Sequence, residues 1–140
     1  MLALILALAI GGAAGTEENA SPTGELRMDH RPPPVPPSAR KQAEEAIRQG
    51  QADPASVQFR DEGVSQATSV RRSAFDPRIA GPVSIVCGRF NAHGQTGAYE
   101  GYAWFFVAIK HGEVLWSEYD QASDGLGAAY NSCKNAGLAS

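Results

Sequence analysis

The segment from Asn91 to Gly101, NAHGQTGAYEG, gathers the densest set of chemically capable groups in this 140-residue chain. Asn91, His93, Gln95, Thr96, Tyr99 and Glu100 supply donors, acceptors and a stacking ring, and the interleaved glycines allow positive φ or close approach of another chain. Asn91, His93, Gln95 and Tyr99, with Tyr102 just beyond, are therefore the candidate binding residues. A plain β-hairpin connection calls for the same composition, with glycine for geometry and polar residues for solvation.

Stronger chemical signatures are absent from the sequence. His93, His111 and His30 stand alone, with no His-x-His or His-Glu-x-x-His spacing, so neither a metal nor another cofactor is expected. No Gly-x-Ser-x-Gly elbow presents a serine nucleophile, and Gly94-x-x-Gly97 lacks the Lys-Ser/Thr that completes a phosphate loop. The adjacent acidic pairs Glu17-Glu18 and Asp61-Glu62 do not converge as acid and base. No catalytic residues are assigned, and a non-enzymatic protein is expected. With 12 basic and 15 acidic residues interspersed, the net charge is −3 and no basic stripe marks a nucleic-acid surface. The doublet Arg71-Arg72 reads as part of a solvated loop.

The ends of the chain bear on compartment. Leu2 to Ile10 is an unbroken apolar run followed by small residues and then Glu17-Glu18, the order of a secretory signal with cleavage near Ala14 or Gly15. The run is about half of the ~20 residues that cross a bilayer. No Lys or Arg precedes it, which keeps open an uncleaved anchor in the inner membrane, or a start upstream of Met1. Export favours oxidation, so Cys87 and Cys133 are predicted to pair, closing a loop worth roughly 4 kcal/mol in the chain-entropy model. The protein is expected in the periplasm or secreted.

Residues 1–15 thus read as a signal peptide, 16–37 as a disordered Pro-rich tether ending in RPPPVPP, and 38–140 as a single α+β domain. Ser38 stands at a helix N-cap, and Ala39, Ala43, Ala46 and Ile47 share a face of a helix ending at Gly50. After the Asp53-Pro54 turn, Val57 and Phe59 alternate with Gln58 and Arg60 in a first strand reaching Val64. Ser65 to Gly81 reads as a loop. From Pro82 a second strand is apolar on both sides, as is the third through Ile109, with Trp104 in the core, and both should be central. Gly112 marks a hairpin into a fourth strand, Val114 to Tyr119, with Val114 and Trp116 on one side and Leu115 on the other. Asp120 or Ser123 caps a last helix whose stripe is Leu126, Tyr130, Cys133 and Gly137. The fold expected is an N-terminal helix, an antiparallel meander of about four strands, and a C-terminal helix bridged to the sheet.

Three pieces of this chain, Asp53-Pro54-x-Ser56-Val57-x-Phe59-Arg60, Val86-Cys87-Gly88-x-x-Asn91-Ala92 and Gly97-x-Tyr99-x-Gly101-Tyr102, resemble a group of small uncharacterised bacterial exported proteins. The resemblance spans Asp53 to Phe106. It departs at His93-Gly94, where the group carries Lys-Asn, and at Gly97-Ala98, where it carries Gly-Gly. It implies compartment and fold and assigns no activity. The expected function is that of a non-enzymatic exported envelope or secreted module binding a protein or glycan partner. The alternatives are a small periplasmic hydrolase and a structural envelope protein anchored by its N-terminal segment.

Overall fold

A computed structural model describes residues 36–122 and 126–140. The signal and tether segments and the Ser123 cap fall, apart from Pro36 and Pro37, outside the described residues. The elements are helix α1 (Ala39–Gln49), a 3-10 turn (Pro54–Ser56), strands β1 (Gln58–Val70), β2 (Ile79–Asn91), β3 (Ala103–Lys110) and β4 (Glu113–Tyr119), and helix α2 (Ala128–Asn135). The strands form one antiparallel sheet in the order β1-β2-β3-β4. This is the α+β meander expected from the sequence.

The two-sided apolarity of β2 and β3 organises the layers. Val86, Phe90, Phe105, Val107 and Ile109 join Ala39, Ala43 and Ile47 of α1 in one buried cluster. Val83, Ile85, Cys87, Phe106 and Ala108 join Ala129 and Cys133 of α2 in another. Each helix therefore covers its own face of the sheet, giving three layers. The disulfide between Cys87 and Cys133 lies in the second cluster, with both residues fully buried. Trp104, expected in the core, is half-buried at the edge of that cluster and meets Tyr130 edge-on at 5.6 Å. In register with Phe105, Gly88 leaves room for its ring: a Cβ there would stand 2.9 Å from Phe105 Cε1 and from Glu62 Cγ.

Three local expectations change. The segment read as a loop from Ser65 is mostly strand, since β1 runs to Val70 and β2 already begins at Ile79. Its pattern is obscured by a register shift between Arg60 and Gly63, which puts Phe59 and Val64, five residues apart, on the same cluster. A second shift between Ala67 and Ser69 lies opposite Pro82, the kind of ladder break where proline fits inside a strand. In β4, a shift opposite Ala108 and Ile109 turns both Leu115 and Trp116 onto the α2 cluster and leaves Val114 exposed.

At the helix ends, the Ser38 cap and the Leu126 stripe position differ from expectation, while the expected Asp120 cap is present. Ser38 occupies the N-cap position of α1, but its side chain makes no capping hydrogen bond. Leu126 precedes α2 and is 64% exposed, so the buried stripe is Ala129 and Cys133. The N-terminus of α2 is capped from a distance: the buried Asp120 carboxylate accepts from the backbone N–H groups of Gly127 (3.0 Å), Ala129 (2.9 Å) and Tyr130 (3.1 Å). At the other end, Gly137 takes φ +77°, with its N–H on Lys134 O and the Leu138 N–H on Cys133 O. Those two bonds define a Schellman close.

At the α1–β1 junction, the half-buried Glu62 faces Glu44, with Arg40 3.9 Å away. Its Oε2 is buried without a hydrogen-bond partner. Burial, then the neighbouring Glu44 carboxyl, push the Glu62 carboxyl up to about 7 against the opposing pull of Arg40 and Arg48.

Two outcomes follow from this packing. Cys133→Ala should cost about 2 to 5 kcal/mol in urea unfolding, and non-reducing peptide mapping should recover Cys87 linked to Cys133. Because the neutral Glu62 is favoured in the folded state, its stabilising effect is complete below about pH 4.5 and is lost as the pH rises through about 7. Glu62→Gln should remove that slope and, at pH 8, raise stability by about 1 to 3 kcal/mol.

Candidate functional site

The chain between β2 and β3 is itself a small hairpin. His93 bridges Tyr99 in antiparallel fashion, the Gly94 N–H donates to Ala98 O at 2.9 Å, and the Gly97 N–H donates to Gly94 O at 2.9 Å, with Gly97 at φ +84°. Asn91 closes its base by accepting the Gly101 N–H on Oδ1 at 2.9 Å. The loop's shape is thus set by its own hydrogen bonds.

That shape is locked to the 3-10 turn. The Ser56 hydroxyl donates to Asp53 O at 2.7 Å and accepts the His93 N–H at 2.9 Å. His93 Nδ1 stands 3.1 Å from Asp53 Oδ2. The Tyr99 hydroxyl donates to Ser56 O at 2.9 Å, and its ring lies 4.2 Å, centroid to centroid, from the His93 ring. Pro54 fits the first turn, where its missing N–H costs nothing. Asp53-Pro54-x-Ser56 and the His93–Tyr99 hairpin, about forty residues apart in sequence, thus form one hydrogen-bonded clamp.

Beside the clamp opens a cleft of about 250 Å³ whose walls include Gln51, His93, Gln95, Glu100, Tyr119 and Gln121. Gln95 is exposed at the hairpin turn. The Glu100 carboxylate folds across the backbone of Gly94, in space a Cβ there would occupy. Tyr119 closes the inner wall, meeting Phe90 edge-on at 5.5 Å.

Of the residues singled out in sequence, His93 and Gln95 line this cleft, Asn91 and Tyr99 hold the loop that forms it, and Tyr102 stands apart. The Tyr102 ring is covered by the Arg60 guanidinium at 3.6 Å. Sequence reasoning missed Asp53 as the partner of His93, and missed Gln51, Tyr119 and Gln121. Asp53 was visible only as a turn residue, and no spacing rule links it to a histidine 40 positions on. Among the described residues, no group of three His, Cys, Asp or Glu side chains is placed to hold a metal ion.

Comparison with protein-family models, curated proteins and solved structures finds no match to this chain. What fold and site define together is a disulfide-bridged α+β domain with a clamped loop beside a polar cleft. Among the described residues, no helix is long and apolar enough to cross a membrane.

If the clamp is one network, its members should couple. Tyr99→Phe should cost about 0.5 to 1.5 kcal/mol and Ser56→Ala about 1 to 3 kcal/mol, with the double variant losing less than the sum. Urea unfolding of the four proteins checks this. Strict additivity would mean that the two contacts act separately.

Proposed function

We propose that this chain is an exported, disulfide-stabilised binding module that takes a glycan or protein partner in the cleft beside the Asn91–Gly101 hairpin and catalyses no reaction on it. The observation that carries the reading is the composition of that cleft. Amide and carboxylate side chains of Gln51, Gln95, Glu100 and Gln121 flank the rings of His93 and Tyr119. Amides both donate and accept, as sugar hydroxyls and peptide groups require, and rings offer a face to C–H surfaces. The Asp53–Ser56 clamp supports the reading because a pre-shaped loop loses little entropy when a partner binds. The buried disulfide supports an oxidising compartment, and the apolar run Leu2 to Ile10 supports export, as a cleaved signal or as an envelope anchor.

One observation favours a hydrolase as the second reading. His93 and Asp53 are paired as a base and its orienting carboxylate. Among the described residues, however, no hydroxyl is bonded to that ring. The Ser56 hydroxyl is committed to Asp53 O and the His93 N–H.

Capture from an envelope fraction and a glycan array, both with the oxidised chain, test the proposal. Gln95→Ala with Gln121→Ala should lower capture about tenfold or more while the melting temperature stays nearly constant, since exposed substitutions usually cost within about 0.5 kcal/mol. Unchanged capture would remove the cleft as the site. Turnover of an ester or glycoside substrate that is lost in Asp53→Asn would replace binding with hydrolysis.

A further inference from the structure

The opposite end of the sheet carries a feature unrelated to the cleft. Between β1 and β2 the chain runs Arg71-Arg72-Ser73-Ala74-Phe75-Asp76-Pro77-Arg78, and Phe75 is 98% exposed at its tip. This exposure is built into the turn. The Ser73 hydroxyl donates to Asp76 Oδ2 at 2.9 Å and accepts the Phe75 N–H at 3.2 Å, while the Asp76 N–H donates to Ser73 O at 3.2 Å. The only acid of the segment is thereby engaged inside the turn. Arg71, Arg72 and Arg78 are all exposed, and Arg78 donates to the Ser69 hydroxyl at 3.0 Å, which holds its guanidinium beside the hairpin.

These three arginines are among the residues lining a shallow groove of about 440 Å³ that also includes Trp116 and Phe106, whose rings stack at 5.8 Å. A chain of net charge −3 thus carries three exposed arginines in the same eight-residue segment as an exposed phenylalanine, and those arginines share a groove with Phe106 and Trp116.

We propose that the β1–β2 tip docks on an anionic lipid bilayer surface, with Phe75 entering the interfacial region and Arg71, Arg72 and Arg78 reaching lipid phosphates. Charge complementarity selects an anionic occupant. Shape selects lipid over an acidic protein. A stable protein interface covers about 800 Å² on each side and seats its aromatic anchor in a pocket. This tip is a turn of eight residues with one exposed large apolar ring, whose remaining members are small or polar, and that ring lies outside the groove the arginines line. A deformable interface accepts a single protruding ring, and arginine lays its stem along the acyl boundary while its head stays with phosphate. Attachment of this size is weak and reversible, and it falls with salt.

The test uses the full chain, so that any contribution from Leu2 to Ile10 is common to every variant. Sedimentation with phosphatidylglycerol/phosphatidylethanolamine vesicles is compared with phosphatidylcholine vesicles, at low salt and at about 0.5 M salt. Partitioning should favour the anionic vesicles and fall with salt. Arg71→Gln and Arg72→Gln should each lower it about fivefold, and Phe75→Ala should lower it several-fold. Phe75→Trp should add a fluorescence component that shifts to the blue on anionic vesicles only. Equal binding to both vesicle types, or variants indistinguishable from the parent, would overturn the proposal. Competition by soluble poly-glutamate at matched charge, with no effect of Phe75→Ala, would overturn it in favour of an acidic protein partner. Gln95→Ala, at the far end, should leave vesicle binding unchanged, so the cleft and the tip stand or fall separately.

Discussion

From Val83 to Gly88, and along β3 from Phe105 to Ile109, the middle strands have no solvent face. Val86, Phe105 and Val107 lie under α1, while Val83, Cys87 and Phe106 lie under α2. A sheet whose middle pair is apolar on both sides must be covered twice, and among the described residues one helix precedes the sheet and one follows it to do so. The covers are unequal. Helix α1 has eleven residues with a buried face of Ala39, Ala43 and Ile47, whereas α2 has eight and buries only Ala129 and Cys133. Eight residues are marginal as a helix in water. The disulfide, the Asp120 cap and the Gly137 close all act on this short helix, which explains why three separate devices converge on it.

The meander then decides what lies where. Antiparallel order places the β2–β3 connection and the β4 exit at one end of the sheet, and the β1–β2 and β3–β4 turns at the other. At the first end, Asp120 leaves β4 to cap α2 and the same stretch supplies Tyr119 and Gln121 to the cleft. The wall of the cleft is therefore tied to the helix that carries the disulfide. The opposite wall is tied to β1 through the Asp53–Ser56 turn. Both sides of the cleft are anchored to rigid elements, which suits recognition by a preformed surface more than closure around a substrate.

Much of the fold was legible in the sequence because central strands announce themselves. The pairing of β2 with β3 holds register without a break, so the expectation that both are central strands apolar on both sides agrees with the structure. The edge strands resist reading for the opposite reason. Each carries a register shift, and a shift moves every later side chain to the other face. Phe59 and Val64 share a cluster only because Asp61 turns through φ +56° between them, and its carboxylate is held by the Arg89 guanidinium at 2.6 Å. No periodicity reveals a bulge stabilised by a cross-strand ion pair. The site divides in the same way. The loop from Asn91 to Gly101 was visible as a polar, glycine-rich insertion, but its partners Asp53 and Ser56 come from a turn whose only sequence mark was Asp-Pro.

That division changes what the loop residues mean. His93 and Tyr99 look like free recognition groups when the loop is read alone, since both are polar aromatics among glycines. In the fold their hydrogen bonds go inward, to Asp53 and Ser56, and the groups left facing outward are the amides and the carboxylate around them. The pieces Asp53-Pro54-x-Ser56, Asn91-Ala92 and Gly97-x-Tyr99-x-Gly101 therefore belong to one scaffold: the turn receives the hairpin, Asn91 closes its base and Gly97 turns its tip. A scaffold of that kind can keep its geometry while Gln95, Glu100 and Gln121 vary, because none of those side chains is needed to hold the clamp. Under the proposed binding role, the side chains that the clamp leaves free, Gln95 and Glu100 in the hairpin and Gln121 beyond β4, would set specificity while the clamp sets shape.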